Sequence, residues 1–286
     1  MNIRTDLAKQ ALEKSLEIRE EYQYDFRSPL CIYELCERAK VKVQFVNDVS
    51  MEGIYAALAK PTILLSSLRP LMRRSFTCAH ELGHHVFGHG STIDELKDEA
   101  AGKFQPNEFL VDSFAGFLLM PAQGIKRAFS SRSIELAKAK PEQIYTVACS
   151  FGVGYETLIG HLKCAVQYIT ADHGALLRKT KLPQIRERLL GFAAKEPLMI
   201  VDRHYPIGAL DVEIGTLVLL PAGTIVESDH IEFFKDVPNG RVFRAMRPGL
   251  ARAAIPAANW GVMIRVSRYQ YAGLARYRHL EETDSE

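Results

Sequence analysis

The sequence lacks the features that mark secreted, membrane-spanning and fibrous proteins. Its first ten residues, MNIRTDLAKQ, contain no apolar core of a signal peptide. Its longest apolar stretches, such as 216–226, are interrupted by Pro221 and Gly223 and fall short of the ~20 residues that span a bilayer. With 19 glycines and 13 prolines in 286 residues, the chain is neither collagen-like nor of low complexity. We therefore expect a globular protein of the cytoplasm.

Cysteine is also scarce and irregularly placed. The chain has five cysteines, an odd number, and none of them belongs to a CxxC pair. This pattern fits neither a disulfide framework nor a zinc ribbon, so we expect free, mostly buried thiols in a reducing compartment. The five are Cys31, Cys36, Cys78, Cys149 and Cys164.

The sequence has no excess of charge of either sign. Lys and Arg number 36 and Asp and Glu number 34, which gives a net charge of +2. This near balance argues against a protein that grips nucleic acid through a basic face. The hydrophobic fraction of 47% is enough to build a core, which excludes disorder over the whole length.

The order of the predicted elements is helices, short strands and helices again. Apolar periodicity predicts a helix over 5–22, and Ser28 followed by Pro29 predicts an N-cap and the start of a short helix that ends at Lys40. This order predicts an α+β fold with a small antiparallel or mixed sheet, a helical bundle and a β-rich C-terminal domain. The later segments are strands over 41–46, 53–58 and 62–65 and helices over 68–87, 107–119 and 122–129.

The second half of the chain changes in texture, and we predict domains over 1–130, 131–178 and 179–286. Segment 141–164 predicts two helices around a turn and resembles a helix-turn-helix. Its second helix is poor in the side chains that read base edges, so we expect a helical packing module rather than direct DNA binding. From residue 197, short β-rich runs alternate with Pro and Gly, and the acidic end 281–286 is expected to be disordered.

The chemistry-bearing motif lies in residues 75–90, SFTCAHELGHHVFGHG, which contain HExxH as His80, Glu81 and His84. On a helix, positions i and i+4 share a face, so both histidines can reach one metal ion, and two imidazoles with an open position suit Zn²⁺. Glu81 lies beside them and can take a proton from water as a general base. The alternative is a helix with surface histidines. The mostly apolar flanks argue against it, because a buried His-Glu-His cluster is costly unless it binds something.

A third metal ligand must come from outside this motif. A downstream histidine in the metzincin arrangement would need Gly and His where this chain has Phe87 and Gly90, so that class is excluded. The other candidate is a carboxylate from the next helix, where NEFLVDSFAGFLLMP places Glu108 and Asp112 at i and i+4. Glu108 would bind zinc, and Asp112 would accept a hydrogen bond from a ligand histidine. The apolar flanks of both argue against a solvated helix face.

The segments FTCAHELGHHVFGH and ExxxDSFAGFLLMP together resemble the ImmA/IrrE family of bacterial metallopeptidases. TILLSSLRPLMRRSF upstream also matches the family, so the resemblance covers about residues 30–165. It implies that His80, His84 and Glu108 are zinc ligands and that Glu81 is the general base. The family usually has Asn where this chain has Asp112. Thermolysin-like enzymes have Asp there, so we expect the hydrogen-bonding role to be kept.

Further side chains are candidates for substrate-side or oxyanion-stabilising roles. His89 follows His84 by five residues, which on a continuous helix lies off the ligand face, so we expect a structural or substrate-side role. The oxyanion of peptide hydrolysis needs a hydrogen-bond donor, and for each candidate donor the alternative is an ordinary surface residue. The candidate donors are Tyr145, Arg74, Arg73 and His204.

The resemblance implies a zinc-dependent endopeptidase that cleaves one partner protein at a specific site. Family members often act on a helix-turn-helix transcriptional repressor encoded nearby, and cleavage switches on stress, mobile-element or defence genes. A different class of function is a regulator that binds a repressor or DNA without cutting. The complete set of His80, Glu81, His84 and Glu108 argues against that alternative. By analogy with the family, the C-terminal domain would sense a signal or dock the substrate.

Overall fold

The fold, described by a computed structural model for residues 2–95, 104–206 and 208–280, is α+β as predicted. The helices are α1 (Ile3–Glu21), α2 (Ile32–Arg38), α3 (Leu71–Phe87), α4 (Pro106–Leu119), α5 (Ala122–Ser130), α6 (Pro141–Phe151), α7 (Tyr155–Gly160), α8 (Ala171–Lys179) and α9 (Leu182–Leu190). The strands are β1 (Lys42–Val46), β2 (Met51–Ala56), β3 (Thr62–Ser66), β4 (Thr92–Glu95), β5 (Leu198–Ile200), β6 (Ala209–Glu213), β7 (Leu217–Leu220), β8 (Ile225–Val226), β9 (Ile231–Val237), β10 (Gly240–Ala245), β11 (Gly249–Ile255), β12 (Trp260–Ser267) and β13 (Gly273–Leu274).

The N-terminal half is built on a mixed sheet, which has the order β13-β1-β3-β2-β4 among the described strands. β1 and β3 are parallel, with Lys42 opposite Thr62, whereas β2 is antiparallel to β3 and to β4. α3 packs against β2 and β3, and Ile63 and Leu65 of β3 are fully buried. The small mixed sheet beside the HExxH helix is therefore confirmed.

The C-terminal end of α4 is held by a buried arginine of α1. The Nε and Nη2 atoms of Arg19 donate to the Leu118 carbonyl at 2.9 and 2.6 Å, and Nη1 donates to the carbonyls of Asp25 and Ser28 at 2.6 and 3.1 Å. The last carbonyls of a helix have no partner within it, and Arg19 supplies donors to one of them. Burial lowers the pKa of Arg19 to about 10, which leaves it charged at neutral pH.

The second helix begins later than predicted. α2 starts at Ile32, with Cys31 in the N-cap position, so the predicted cap at Ser28 is wrong. The Ser28 hydroxyl instead donates to Oδ2 of Asp25 at 2.9 Å, and the Ser28 carbonyl accepts a hydrogen bond from Arg19. Ser28 therefore belongs to a turn that is tied to the buried arginine.

The C-terminal half forms two further sheets, as its β-rich texture predicts. Their orders among the described strands are β5-β7-β10-β9 and β6-β12-β11-β8. The chain then returns to the first sheet, where Leu274 and Gly273 of β13 pair with Gln44 and Phe45 of β1. The last described strand therefore completes the sheet of the N-terminal half.

A buried ion pair also joins the two halves, and a second cluster of ion pairs lies within the C-terminal half. The guanidinium of Arg74 on α3 lies 2.5 Å from Glu213 of β6 and over the ring of Phe45. Asp211 accepts hydrogen bonds from Arg265 and Arg278. Both arginines hold the pKa of the Asp211 carboxyl below its usual range although burial opposes this. The division into domains at 130 and 178 stays a prediction.

The segment that resembles a helix-turn-helix consists of α6 and α7, separated by Gly152 in the left-handed conformation. Its apolar side chains are buried, and α7 passes into a π-helical turn, His161–Ala165. The Nε2 atom of His161 lies 3.0 Å from the Met120 carbonyl, and its ring packs against Gly116 of α4. These contacts join the segment to α4, as a packing module would.

Two expectations concern the chain as a whole. The acidic segment 281–286, which the sequence predicts to be disordered, lies outside the described residues. In the described part of the chain, no helix combines the length and the apolar character needed to cross a membrane.

The buried His161 generates a prediction about pH. Burial lowers the pKa of His161 to about 4, against an ordinary value near 6.5. Between these values the unfolded chain binds a proton that the folded chain does not, so the free energy of unfolding falls as the pH falls through this window. Between pH 7 and pH 5 the contribution is about 2 kcal/mol.

Urea unfolding at the two pH values checks this. Since other titrating groups are common to both proteins, we expect His161→Gln to lose about 2 kcal/mol less than the wild type between pH 7 and pH 5. His204 is exposed, so His204→Gln is expected to keep the wild-type pH dependence. An unchanged pH dependence in His161→Gln would contradict the assignment.

Candidate metal centre

The two motif histidines lie one turn apart on α3, on the side that faces α4. His80 and His84 are 4% and 1% exposed, and their Nε2 atoms lie 3.2 Å apart. Glu108 comes from the first turn of α4. Its Oε2 atom lies 3.4 Å from His80 Nε2, and its Oε1 atom lies 3.6 Å from His84 Nε2. The three side chains that the sequence nominates as metal ligands are therefore brought together.

The donor set fits a metal ion. One ligand atom from each of His80, His84 and Glu108 lies within 4.8 Å of the other two. Ligand atoms ~2.0 Å from a tetrahedral ion would be separated by about 3.3 Å. The 3.2 Å between the two Nε2 atoms agrees with that value, and Glu108 presents one carboxylate oxygen to each histidine, at 3.4 and 3.6 Å. Two imidazoles and a carboxylate leave a fourth position of the tetrahedron for water or substrate.

Each histidine also has a partner at its other ring nitrogen. Oδ1 of Asp112 lies 2.7 Å from Nδ1 of His80, as the i, i+4 spacing with Glu108 predicts. Nδ1 of His84 lies 3.0 Å from Nδ1 of His89. Partners of this kind set the tautomer and the ring orientation of ligand histidines. Burial lowers the pKa of His89, which favours its neutral form.

Glu81 directly follows His80 on α3, so its side chain is turned by about 100° from the ligand face, toward the sheet. It is fully buried, and the hydroxyl of Thr92 on β4 donates to its Oε2 atom at 3.3 Å. Gly53 of β2 lies directly against it: a Cβ at Gly53 would be 2.8 Å from Oε1 of Glu81 and 2.6 Å from Cγ2 of Thr77. The absence of a side chain at Gly53 is therefore what lets the sheet approach α3 at Glu81.

Gly83 plays the same part between α3 and α4. A Cβ at Gly83 would lie 2.9 Å from Cβ of Val111 and 3.2 Å from Cδ1 of Phe114. Gly53, Gly83 and Thr92 are absent from the site predicted from sequence. A glycine inside a helix signals close packing, so Gly83 could have been found from its position. Gly53 and Thr92 carry no such local signal.

Two other candidates are engaged in contacts between elements. The hydroxyl of Tyr145, which is buried on α6, donates to the Leu198 carbonyl of β5 at 2.6 Å. Arg74 is 2% exposed and forms the ion pair with Glu213. These contacts favour structural roles for both residues over a role in stabilising an oxyanion.

The segment that contains this site matches a known peptidase family model. Residues 36–163 match the peptidase family model that is described as IrrE N-terminal-like domain. The matched segment contains α3 and α4, and therefore the histidines, Glu81, Glu108 and Asp112. No curated protein matches the chain.

The close approach of α3 and α4 generates a prediction about stability. A methyl group at position 83 would overlap Val111, so Gly83→Ala must force the helices apart or distort them. We expect the free energy of unfolding to fall by about 1–3 kcal/mol, although alanine favours a helix over glycine by up to ~1 kcal/mol. Urea denaturation measures the change.

Gly160 provides the matched control, because it also lies in a helix. A Cβ there would meet only the end of the flexible Arg178 side chain, at 3.8 Å. We expect Gly160→Ala to leave stability unchanged or to raise it by up to ~1 kcal/mol. If Gly83→Ala behaved like Gly160→Ala, the contact with α4 would not constrain the site.

Proposed function

We propose that this protein is a zinc-dependent endopeptidase, because residues 36–163 match the peptidase family model that is described as IrrE N-terminal-like domain. The observation that carries the proposal is the convergence of the two Nε2 atoms and the Glu108 carboxylate, with the buried Glu81 next to His80 in the chain. Zinc is the metal proposed because two imidazoles and one carboxylate with an open fourth position are typical of catalytic zinc sites in peptidases.

His80, His84 and Glu108 would hold the ion. When bound, zinc supplies Lewis acidity that polarises the carbonyl of the scissile peptide and makes water more acidic. Asp112 would accept a hydrogen bond from Nδ1–H of His80. The proton of that ring would then be on Nδ1, which leaves the Nε2 lone pair free to bind the metal. The apolar packing of α3 against α4 excludes water from the side of the ligands that faces the core.

Glu81 is proposed as the general base. It follows the ligand His80 directly in sequence, and the Thr92 hydroxyl holds its Oε2 atom. Its carboxylate would accept a proton from the water that attacks the scissile carbonyl and would then return that proton to the leaving amine. Gly53 lies against the Glu81 side chain and limits its movement. The carboxylate would therefore already be ordered before the reaction begins.

A protein substrate follows from the peptidase family, and we propose that it binds as an added strand. β4 is the edge strand of the described sheet and also carries Thr92, so an extended segment paired with β4 would lie beside Glu81. The resemblance of this chain to the ImmA/IrrE family supports a helix-turn-helix repressor as the substrate. Its cleavage would switch on stress, mobile-element or defence genes, with residues 179–286 sensing a signal or docking the repressor.

The test incubates the protein and zinc with a helix-turn-helix repressor encoded by a neighbouring gene, which is the substrate that the resemblance implies. We expect Glu81→Gln to keep stoichiometric zinc but to cleave the repressor at least ~100-fold more slowly, because it cannot accept the proton. Fragments are measured by mass spectrometry, and metal content is measured by elemental analysis. Glu187 is exposed on α9, so Glu187→Gln is the matched control and should cleave at the wild-type rate.

Two outcomes would contradict the proposal. If wild type and Glu81→Gln relieved repression equally while the repressor stayed full length, the protein would be a regulator that binds without cutting. If purified His80→Ala retained stoichiometric zinc, the ligand assignment would be wrong.

A further inference from the structure

We propose that His89 is a positioning residue. Its Nδ1 atom, which carries no proton, accepts a hydrogen bond from Nδ1–H of His84 and so sets the tautomer and the orientation of that ligand ring for zinc binding. This inference rests on the proposed function, because it takes His84 to be a metal ligand. It assigns His89 a role through His84 and not as a ligand itself.

One proton lies between the rings of His84 and His89. The Nδ1 atoms of His84 and His89 lie 3.0 Å apart, a hydrogen-bond distance that requires one nitrogen to donate and the other to accept. Nε2 of His84 points toward His80 and Glu108. A metal at that point would take the Nε2 lone pair, so the His84 proton must be on Nδ1. His89 must then be the acceptor, with its own proton on Nε2.

The turn that follows α3 brings His89 next to His84. α3 ends at Phe87, and Gly88 follows in the left-handed conformation with φ of 68°. The His89 N–H then bonds back to the His84 carbonyl at 3.1 Å, and Gly90 has φ of 76°. Because the chain reverses here, the five-residue spacing that would lie off the ligand face of a helix brings the His89 ring onto His84. Both glycines occupy a conformation that side chains disfavour.

Aromatic packing orients the His89 ring. It stacks on Phe87, with centroids 5.9 Å apart and planes 20° apart. Phe87 in turn meets the edge of Phe114 from α4, with centroids 5.6 Å apart. The acceptor is therefore held by aromatic packing that reaches the helix carrying Glu108.

The experiment separates the hydrogen bond from the packing. His89→Phe keeps an aromatic ring that can stack on Phe87 but removes the acceptor, whereas His89→Asn loses the ring but retains an acceptor oxygen close to the position of Nδ1. We expect His89→Phe to weaken zinc binding about 10–100-fold, and His89→Asn to bind zinc within about threefold of wild type. Zinc affinity is measured by competition with a chromophoric chelator. The visible spectrum of the Co²⁺-substituted protein reports the ligand geometry, and a changed spectrum is expected for His89→Phe only.

The outcomes are distinguishable from a failure of the proposed function. If wild type bound no zinc, or His80→Ala bound it as well as wild type, the metal centre itself would be refuted. If wild type bound zinc and His89→Phe bound it equally with an unchanged Co²⁺ spectrum, the positioning role would be refuted. A loss in His89→Asn as large as in His89→Phe would also overturn it, because the acceptor would then not matter. Urea unfolding of the metal-free variants shows that each is folded.

Discussion

The separation of α3 and α4 is the constraint on which the candidate centre depends. Gly83 allows the backbone of α3 to approach Val111 and Phe114 without an intervening side chain. At that separation, Glu108 reaches both histidines and Asp112 reaches the far nitrogen of His80. Each of these contacts would lengthen if the helices moved apart. Arg19 ties the other end of α4 to α1 through the Leu118 carbonyl.

Consecutive residues of α3 meet different neighbours, which would let one helix carry both the proposed ligands and the proposed base. His80 and His84 face α4, which supplies the carboxylates, whereas Glu81 faces β2 and β4. Adjacent positions on a helix differ by about 100° in direction, so neighbours in sequence are directed to different surroundings. The proposed ligands and the proposed base are thereby kept apart although they are consecutive in the chain. The sheet contacts Glu81, and the helix pair brings the proposed ligands together.

The parts of the site that depend on local periodicity could be predicted from the sequence. HExxH and ExxxD each lie within one helix, so their spacing alone specifies which side chains share a face. The early strands and helices follow the same logic, and their observed order agrees with the prediction except for β4, which lies between α3 and α4 and was not predicted. The cap at Ser28 failed because a side chain that caps a helix equally well closes a turn, and a distant arginine decides between them. His89 was placed by helical spacing, which ceases to apply beyond Gly88. The contacts of Tyr145 and Arg74 join elements that are far apart in sequence, and no local pattern encodes them.

The pairing of β13 with β1 has a consequence for the time at which the fold is completed. During synthesis, β1 and Arg74 leave the ribosome long before Gly273, Leu274 and Glu213 exist. Until then one edge of the first sheet lacks its neighbour, and a cation that the finished fold buries lacks its carboxylate. Contacts between such distant parts of a chain form late, because long loops must close first. A nascent or truncated chain that lacks residues 273–274 would therefore carry the complete HExxH motif on an incompletely supported sheet, and this support would come only once β13 has been made.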